Sequence, residues 1–287
     1  MKNKTIVVKG KILHFNQPLV MGILNITPDS FFPESRKLTE SSIRARTEEI
    51  LSQGALILDI GAYSSRPDAK DVSPQDEINR LTFALSIIRK HFPQAIVSID
   101  TFRASVARHC VENFHADIIN DISGGEIDPL MFETVASLHI PYVLMHMRGT
   151  PKTMQQLTSY HNVTDEVIRY LATRMHQLHL LGLSDIIIDP GFGFAKTLQQ
   201  NYELLSKLSE FSIFQRPLLV GISRKSMLSK LLNIDTSQCL NGTTVLNTFA
   251  LLHGADILRV HDVRQAVEAI RILEMLRSTS TYIPARS

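Results

Sequence analysis

The chain has 287 residues, of which 44% are hydrophobic and 20% charged, with a formal net charge of +2 at pH 7. That balance excludes a general electrostatic attraction to nucleic acid or anionic membrane, so any anion must be held by a local site. No run reaches the roughly 18 apolar residues of a transmembrane helix, the amino terminus lacks the apolar stretch of a secretory signal, and two cysteines, Cys110 and Cys239, are too few for a disulfide framework.

Taken in order, residues 5–15 alternate apolar and polar around Lys9-Gly10, predicting a β-hairpin within 1–17 that covers the N-terminal mouth of the domain. Short β-branched runs then recur at 19–24, 56–60, 95–100, 117–122, 142–146, 185–189, 217–222 and 257–261. Each is nearly continuous in apolar residues, as strands buried on both faces of a parallel sheet must be. Helix-length segments separate them. Ser73-Pro74 followed by Asp76-Glu77 reads as an N-cap, a proline at the first helical position and an acidic first turn. Gly54, Gly182 and Gly254 stand where left-handed helix C-caps belong. Eight strands alternating with helices predict one α/β domain over 1–287, a (β/α)₈ TIM barrel with an N-terminal β-hairpin, and the polar segment 278–287 is expected to fray. An open doubly wound sheet fits less well, because no glycine-rich turn follows the first strand.

In such a barrel the chemistry gathers at the carboxyl ends of the strands. Those ends carry Asn25, Asp59, Asp100, Asn120 with Asp121, His146, Asp189, the Ser223-Arg-Lys-Ser226 run, and Arg259 with His261. Any one carboxylate could simply cap the next helix. A whole ring of polar groups at one mouth is costly to desolvate unless it binds something. Acceptors lie on the early and middle strands, while Lys225, Arg259 and His261 on the last two are donors. One wall therefore suits a heterocycle with N–H groups and the other an anion. Arg259 and His261 are alternate residues of one strand and are expected to face the interior together.

These residues resemble the dihydropteroate synthase family over nearly the whole chain. The matching segments are Met21-Gly-Ile-Leu-Asn-Ile-Thr-Pro-Asp-Ser-Phe31, Leu58-Asp-Ile-Gly61 with Ser64-Ser-Arg-Pro67, Val97-Ser-Ile-Asp-Thr101 and Ile119-Asn-Asp-Ile122. Further along come Leu144-Met-His-Met147 with Gly149-Thr-Pro-Lys-Thr-Met154, Asp189-Pro-Gly-Phe-Gly-Phe194, Gly221-Ile-Ser-Arg-Lys-Ser226 and Arg259-Val-His-Asp-Val263. The missing disulfide framework, signal and membrane segment predict a cytoplasmic protein, and the resemblance implies a homodimer, paired through its last helices, that joins 6-hydroxymethyl-7,8-dihydropterin diphosphate to p-aminobenzoate. Asp100, Asn120, Asp189 and Lys225 would line the pterin pocket, and Arg259 would stack on the pterin and reach the diphosphate. Asn25 and His261 would hold the diphosphate, with Mg²⁺ bound through Asn25 and phosphate oxygens. Ser65, Arg66, Pro67, Phe194 and Ser226 would shape the aminobenzoate site, and the backbone amides after Ser223 would open a helix facing its carboxylate. Catalysis is expected to rest on Asp100, Lys225, Arg259 and His261, with SN1-like loss of diphosphate.

The chain departs from the family pattern twice. Phe32-Pro33-Glu34-Ser35 stands where a polar residue and Asp-Gly-Gly are usual, leaving Glu34 as a stand-in acid, and Tyr63 replaces an acid in Gly61-Ala-Tyr-Ser-Ser-Arg-Pro-Asp68. Other functions share parts of this pattern. A methyltetrahydrofolate-dependent corrinoid methyltransferase would share the Asp/Asn pocket but not need Ser-Arg-Lys-Ser with Arg-Val-His. A zinc amidohydrolase would need a paired-histidine motif on the first strand, which ends in Leu24-Asn25, and His176 and His179 read as surface groups of a helix. A Schiff-base role for Lys225 is disfavoured by its Arg and Ser neighbours. A paralogue that binds pterin without condensing it would bind without releasing diphosphate.

Overall fold

The computed structural model describes residues 4–27, 39–63 and 71–279. Strands β1 (Thr5–Val8) and β2 (Lys11–His14) pair antiparallel, with Val8 opposite Lys11. The two-residue turn between them places both Lys9 and Gly10 at positive φ, 53° and 70°. That is the turn geometry whose twist matches a hairpin. Alternation then sends Ile6 and Val8 inward with Phe15 and leaves Val7 and Ile12 exposed.

Eight further strands form one sheet. They are β3 (Leu19–Asn25), β4 (Ile57–Gly61), β5 (Ile96–Asp100), β6 (Ile118–Asp121), β7 (Tyr142–Met145), β8 (Ile186–Asp189), β9 (Leu219–Val220) and β10 (Ile257–Val260). Each pairs in parallel with its neighbour in the order β8-β7-β6-β5-β4-β3-β10-β9. A parallel bridge between Ile188 and Leu218, reinforced by Ile188 N–H donating to the Pro217 carbonyl at 2.8 Å, joins the last edge to the first and closes the barrel. Strand β9 is shorter than the expected run 217–222, because Ile222 already carries the turn that receives Lys225 N–H at 3.1 Å.

The helices interleave with the strands: α1 (Glu40–Ser52), α2 (Pro74–His91), α3 (Ala104–Phe114), α4 (Met131–Ser137), α5 (Val163–Leu180), α6 (Leu198–Ser206), α7 (Ser226–Leu232), α8 (Leu240–Leu252) and α9 (Val263–Thr279). The Ser73 hydroxyl caps α2 by accepting from Asp76 N–H, with Pro74 in the first turn as expected. Gly54, Gly182 and Gly254 have φ of 103°, 85° and 98°, a conformation only glycine adopts without strain. Ser278 and Thr279, expected in a frayed tail, are the last residues of α9, and 280–287 lie outside the described residues. Among the described residues no helix is long and apolar enough to cross a membrane.

Two apolar cores follow from strand alternation. One parity of strand residues, such as Leu58, Ile60, Val97, Ile99, Leu258 and Val260, packs outward against the helices. The other parity points into the barrel. Its first layer is Met21, Ile57, Ile118, Val143, Ile187, Leu219 and Ile257, which the hairpin residues Ile6, Val8 and Phe15 plug from below. The N-terminal mouth is therefore sealed with hydrocarbon, and only the opposite mouth is left for chemistry.

Candidate active site at the carboxyl ends of the strands

Two residues beyond each member of the plug, the same parity points inward again. Met21 leads to Ile23, Ile57 to Asp59, Ile118 to Asn120, Val143 to Met145, Ile187 to Asp189, Leu219 to Gly221 and Ile257 to Arg259. On β5 the interior residues are Ser98 and then Asp100, which pairs in register with Asn120 and Gly61. A polar layer thus sits directly on the apolar plug.

Arg259 organises that layer. Its Nε donates to Asp59 Oδ2 at 2.7 Å, and its Nη2 donates to Asp100 Oδ2 at 2.5 Å. Asn120 Nδ2 donates to the same Asp59 oxygen at 3.1 Å. Asp59 is fully buried, and its second oxygen, Oδ1, has no hydrogen-bond partner among the described residues. Burial pushes the Asp100 carboxyl up to about 7, against the pull of Arg259. Burial also works against the Arg259 charge, but Asp59 and Asp100 outweigh it and keep the guanidinium protonated.

The second group stands on β8 and the loop after β9. Asp189 accepts Gly191 N–H at 2.7 Å through Oδ1, and burial raises its carboxyl against the opposing pull of Lys225. Lys225 immediately precedes α7 and donates to the Phe192 carbonyl, with its Nζ 4.5 Å from the centre of the Phe194 ring. Burial draws the Lys225 ammonium down to about 8, with Asp189 opposing. Arg224, at φ 53°, fixes this loop by donating from Nε and Nη2 to Asp262, each at 2.8 Å.

The rim carries the remaining expected residues. Asn25 is exposed at the end of β3. His261 follows β10, its N–H bonded to Ser223 Oγ at 3.2 Å and its carbonyl accepting from Arg46 at 3.1 Å. Burial, then the Arg259 charge, pulls the His261 imidazole down to about 4, so it is neutral at pH 7. Ser226 opens α7 and is exposed. Ser65, Arg66, Pro67, Pro33 and Glu34 lie outside the described residues. Tyr63 packs edge-on against Phe102 at 5.0 Å, with the Arg103 guanidinium 5.3 Å from its ring.

Two members of the expected ring do not join it. Asp121 is one residue beyond Asn120 and therefore has the opposite parity. It accepts from Ser123 N–H and Oγ, Gly125 N–H and the Tyr142 hydroxyl, and so holds a turn. His146, one residue past Met145, is buried against Lys196, with its Nδ1 3.0 Å from the ammonium. Asp59, by contrast, is in the sequence only one of a ring of strand ends, with no role of its own. The signal that could single it out is its parity with Ile57, visible once the plug is known.

The residues 21–261 match the family described as "Pterin binding enzyme". Dihydropteroate synthase of Escherichia coli K12 is 40% identical over 268 residues, covering 93% of this chain and 94% of that protein. The chain belongs to the dihydropteroate synthase family. A solved Yersinia pestis dihydropteroate synthase in complex with a sulfonamide drug superposes with a TM-score of 0.89 at 38% identity, covering 96% of this chain and 99% of that one. The Xanthomonas albilineans dihydropteroate synthase with 4-aminobenzoic acid gives a TM-score of 0.87 at 33% identity, with 96% and 99% covered.

Proposed function

We infer that the chain condenses 6-hydroxymethyl-7,8-dihydropterin diphosphate with p-aminobenzoate, giving 7,8-dihydropteroate and diphosphate. The observation that carries this reading is the single mouth at which Asp189 and Lys225 stand beside an arginine held between two carboxylates. An ionised Asp189 suits the paired N–H groups of the aminopterin edge, and Lys225 suits its carbonyl and ring nitrogen. Asn120 completes that wall. Arg259, aligned by Asp59 and Asp100, can lie on a flat ring and still reach an anion.

The reaction balances without a covalent enzyme intermediate. The bond from the pterin methylene carbon to the diphosphate oxygen breaks, and its electron pair leaves with the diphosphate. Arg259 and His261 face that charge. The methylene cation is delocalised into the pterin, where Asp100 opposes it with a negative charge. The aromatic amine forms the new carbon–nitrogen bond and gives up one proton to solvent water. Bringing the two substrates together in line supplies much of the rate. Phe194, Ser226 and the Ser65-Arg66-Pro67 segment are the proposed aminobenzoate contacts.

A magnesium ion fits the donor set. Asn25 presents one hard oxygen at the open rim, and among the described residues no cluster of three His, Cys, Asp or Glu forms a cage. Mg²⁺ usually takes one or two protein ligands and fills its shell with phosphate and water oxygens. Bound there with the diphosphate, it would offset leaving-group charge.

Among the described residues, seven of the sixteen large exposed apolar side chains, Leu231, Leu232, Val245, Leu252, Ile272, Met275 and Leu276, lie on α7, α8 and α9, which supports a homodimer paired through the last helices. Buried free thiols at Cys110 and Cys239 suit a cytoplasmic location.

The test is to mix the protein with pterin diphosphate, with and without p-aminobenzoate, and follow diphosphate and dihydropteroate. Diphosphate release that depends on p-aminobenzoate, with stoichiometric dihydropteroate, is expected. Tight pterin binding with no release would instead make the chain a non-condensing pterin binder.

A further inference from the structure

Among the described residues of the pocket wall, Lys196 stands out because its burial has no evident local reason. It is 4% exposed, yet no carboxylate pairs with it among the described ion pairs. Its ammonium instead makes three hydrogen bonds: to His146 Nδ1 at 3.0 Å, the Gly191 carbonyl at 2.8 Å and the Phe194 carbonyl at 3.0 Å. The Asp189 carboxylate favours the charge from beyond contact distance, but a buried charge whose direct partners are all neutral is still costly, so the arrangement has to be held by the surrounding fold.

Two of these contacts grip the turn between β8 and α6, and the third ties it to the end of β7. Gly191, Gly193 and Ala195 all have positive φ, 72°, 82° and 50°. A Cβ at Gly191 would lie 2.0 Å from the His146 carbonyl oxygen, so the turn lies directly on the end of β7. Its other polar groups are also taken. Gly193 N–H donates to Asn201 Oδ1 at 2.6 Å, and the Ala195 carbonyl accepts from the Tyr160 hydroxyl at 2.9 Å. The Phe192 carbonyl, between the two carbonyls that Lys196 holds, accepts from Lys225. The Phe192 side chain is fully buried and fixes the same peptide from the core side.

We propose that Lys196, seated on His146, is a positioning residue that sets the Phe192 carbonyl and through it aims the Lys225 ammonium at the pterin site. Lys196 touches no substrate in this scheme. His146 serves as its acceptor, which requires an unprotonated Nδ1. Burial, then the Lys196 charge, depresses His146 well below its usual range, which accords with a neutral imidazole there; burial also lowers Lys196, with Asp189 opposing. The inference rests on the reading of Lys225 as a pterin contact.

A double-mutant cycle separates the two claims, read as the dissociation constant of 6-hydroxymethylpterin by titration calorimetry. Lys225→Met is expected to weaken binding at least about tenfold, the loss of a charge-assisted hydrogen bond. Lys196→Met should weaken it by a similar factor in the native background and by less than about threefold when Lys225 is already Met. Equal loss in both backgrounds would make Lys196 merely structural and overturn the positioning role. No loss from Lys225→Met would overturn the pterin assignment itself. Should Lys196→Met fail to fold, His146 reads the same device from its other side. His146→Asn keeps an acceptor near the Nδ1 position and should retain binding within about threefold, while His146→Leu should lose at least about tenfold. Equal binding by the Asn and Leu variants would refute the proposal.

Discussion

Replacing Asp59 by Asn tests the polar layer at its base. The change keeps the shape of the side chain and removes one charge. Asp59 Oδ2 now receives Arg259 Nε at 2.7 Å and Asn120 Nδ2 at 3.1 Å. A carboxamide oxygen is a weaker acceptor for both, and its NH₂ adds donors beside groups that are donors themselves. At this separation the gross attraction to Arg259 is about 6 kcal/mol for an effective dielectric constant of about 20. Relief of desolvation returns part of that, and breaking a buried pair usually costs about 3–5 kcal/mol net. Arg259 keeps Asp100 as its second partner, so about 2 kcal/mol of orientation should be lost, or about 30-fold in kcat/KM for the pterin diphosphate. The assay is dihydropteroate formation at saturating p-aminobenzoate, with urea unfolding to confirm the fold. Asp121→Asn is the control: it is equally buried and accepts four hydrogen bonds, but it faces away from the pocket. It should cost about 1–3 kcal/mol of stability and leave kcat/KM within about threefold. If Asp59→Asn stays within threefold of the native enzyme while folded, or Asp121→Asn costs as much activity, the assignment of strand parity to function is wrong.

Asp100→Asn and Arg259→Ala should each cut turnover at least about tenfold, measured as initial rates in folded protein; near-normal rates in both would remove them from the mechanism. The profile of kcat/KM against pH should be a bell. Its acid limb near 7 reflects Asp100, which must be ionised, so activity falls as pH drops through that value. Its alkaline limb near 8 reflects Lys225, which must be protonated, so activity falls as pH rises through it. Lys225→Arg should move only the alkaline limb, upward by more than about one pH unit, since guanidinium does not deprotonate in this range; an unmoved limb would assign it elsewhere. Sulfonamides should inhibit competitively against p-aminobenzoate, and turnover that ignores them would remove Phe194 and Ser226 from the aminobenzoate site.

Much of this architecture was legible in local order. The eight apolar runs, the hairpin at Lys9-Gly10, the cap at Ser73 and the left-handed glycines at 54, 182 and 254 each depend on residues within a few positions of one another. Strand and turn preferences act over that range, so reading them needs no partner. The convergence of Asp100, Asn120, Asp189, Lys225 and Arg259 was legible too, because a barrel brings every carboxyl strand end to one mouth. Segment 65–67, proposed for aminobenzoate, and the loop bearing Glu34 lie outside the described residues, so their part in the site stays with the sequence.

What the sequence could not decide was direction. Asp59 and Asp121 are both acids near the end of an apolar strand, and nothing local tells them apart. Only the register of neighbouring strands, which turns Ile57 and Asp59 inward and Asp121 outward, makes one a partner of Arg259 and the other the organiser of a turn. The same holds for Lys196 and His146, separated by 50 positions and joined only when β7 and the β8–α6 turn come into contact. Local propensity specifies the elements, but the face a side chain takes and the neighbour it meets are fixed by the closed sheet.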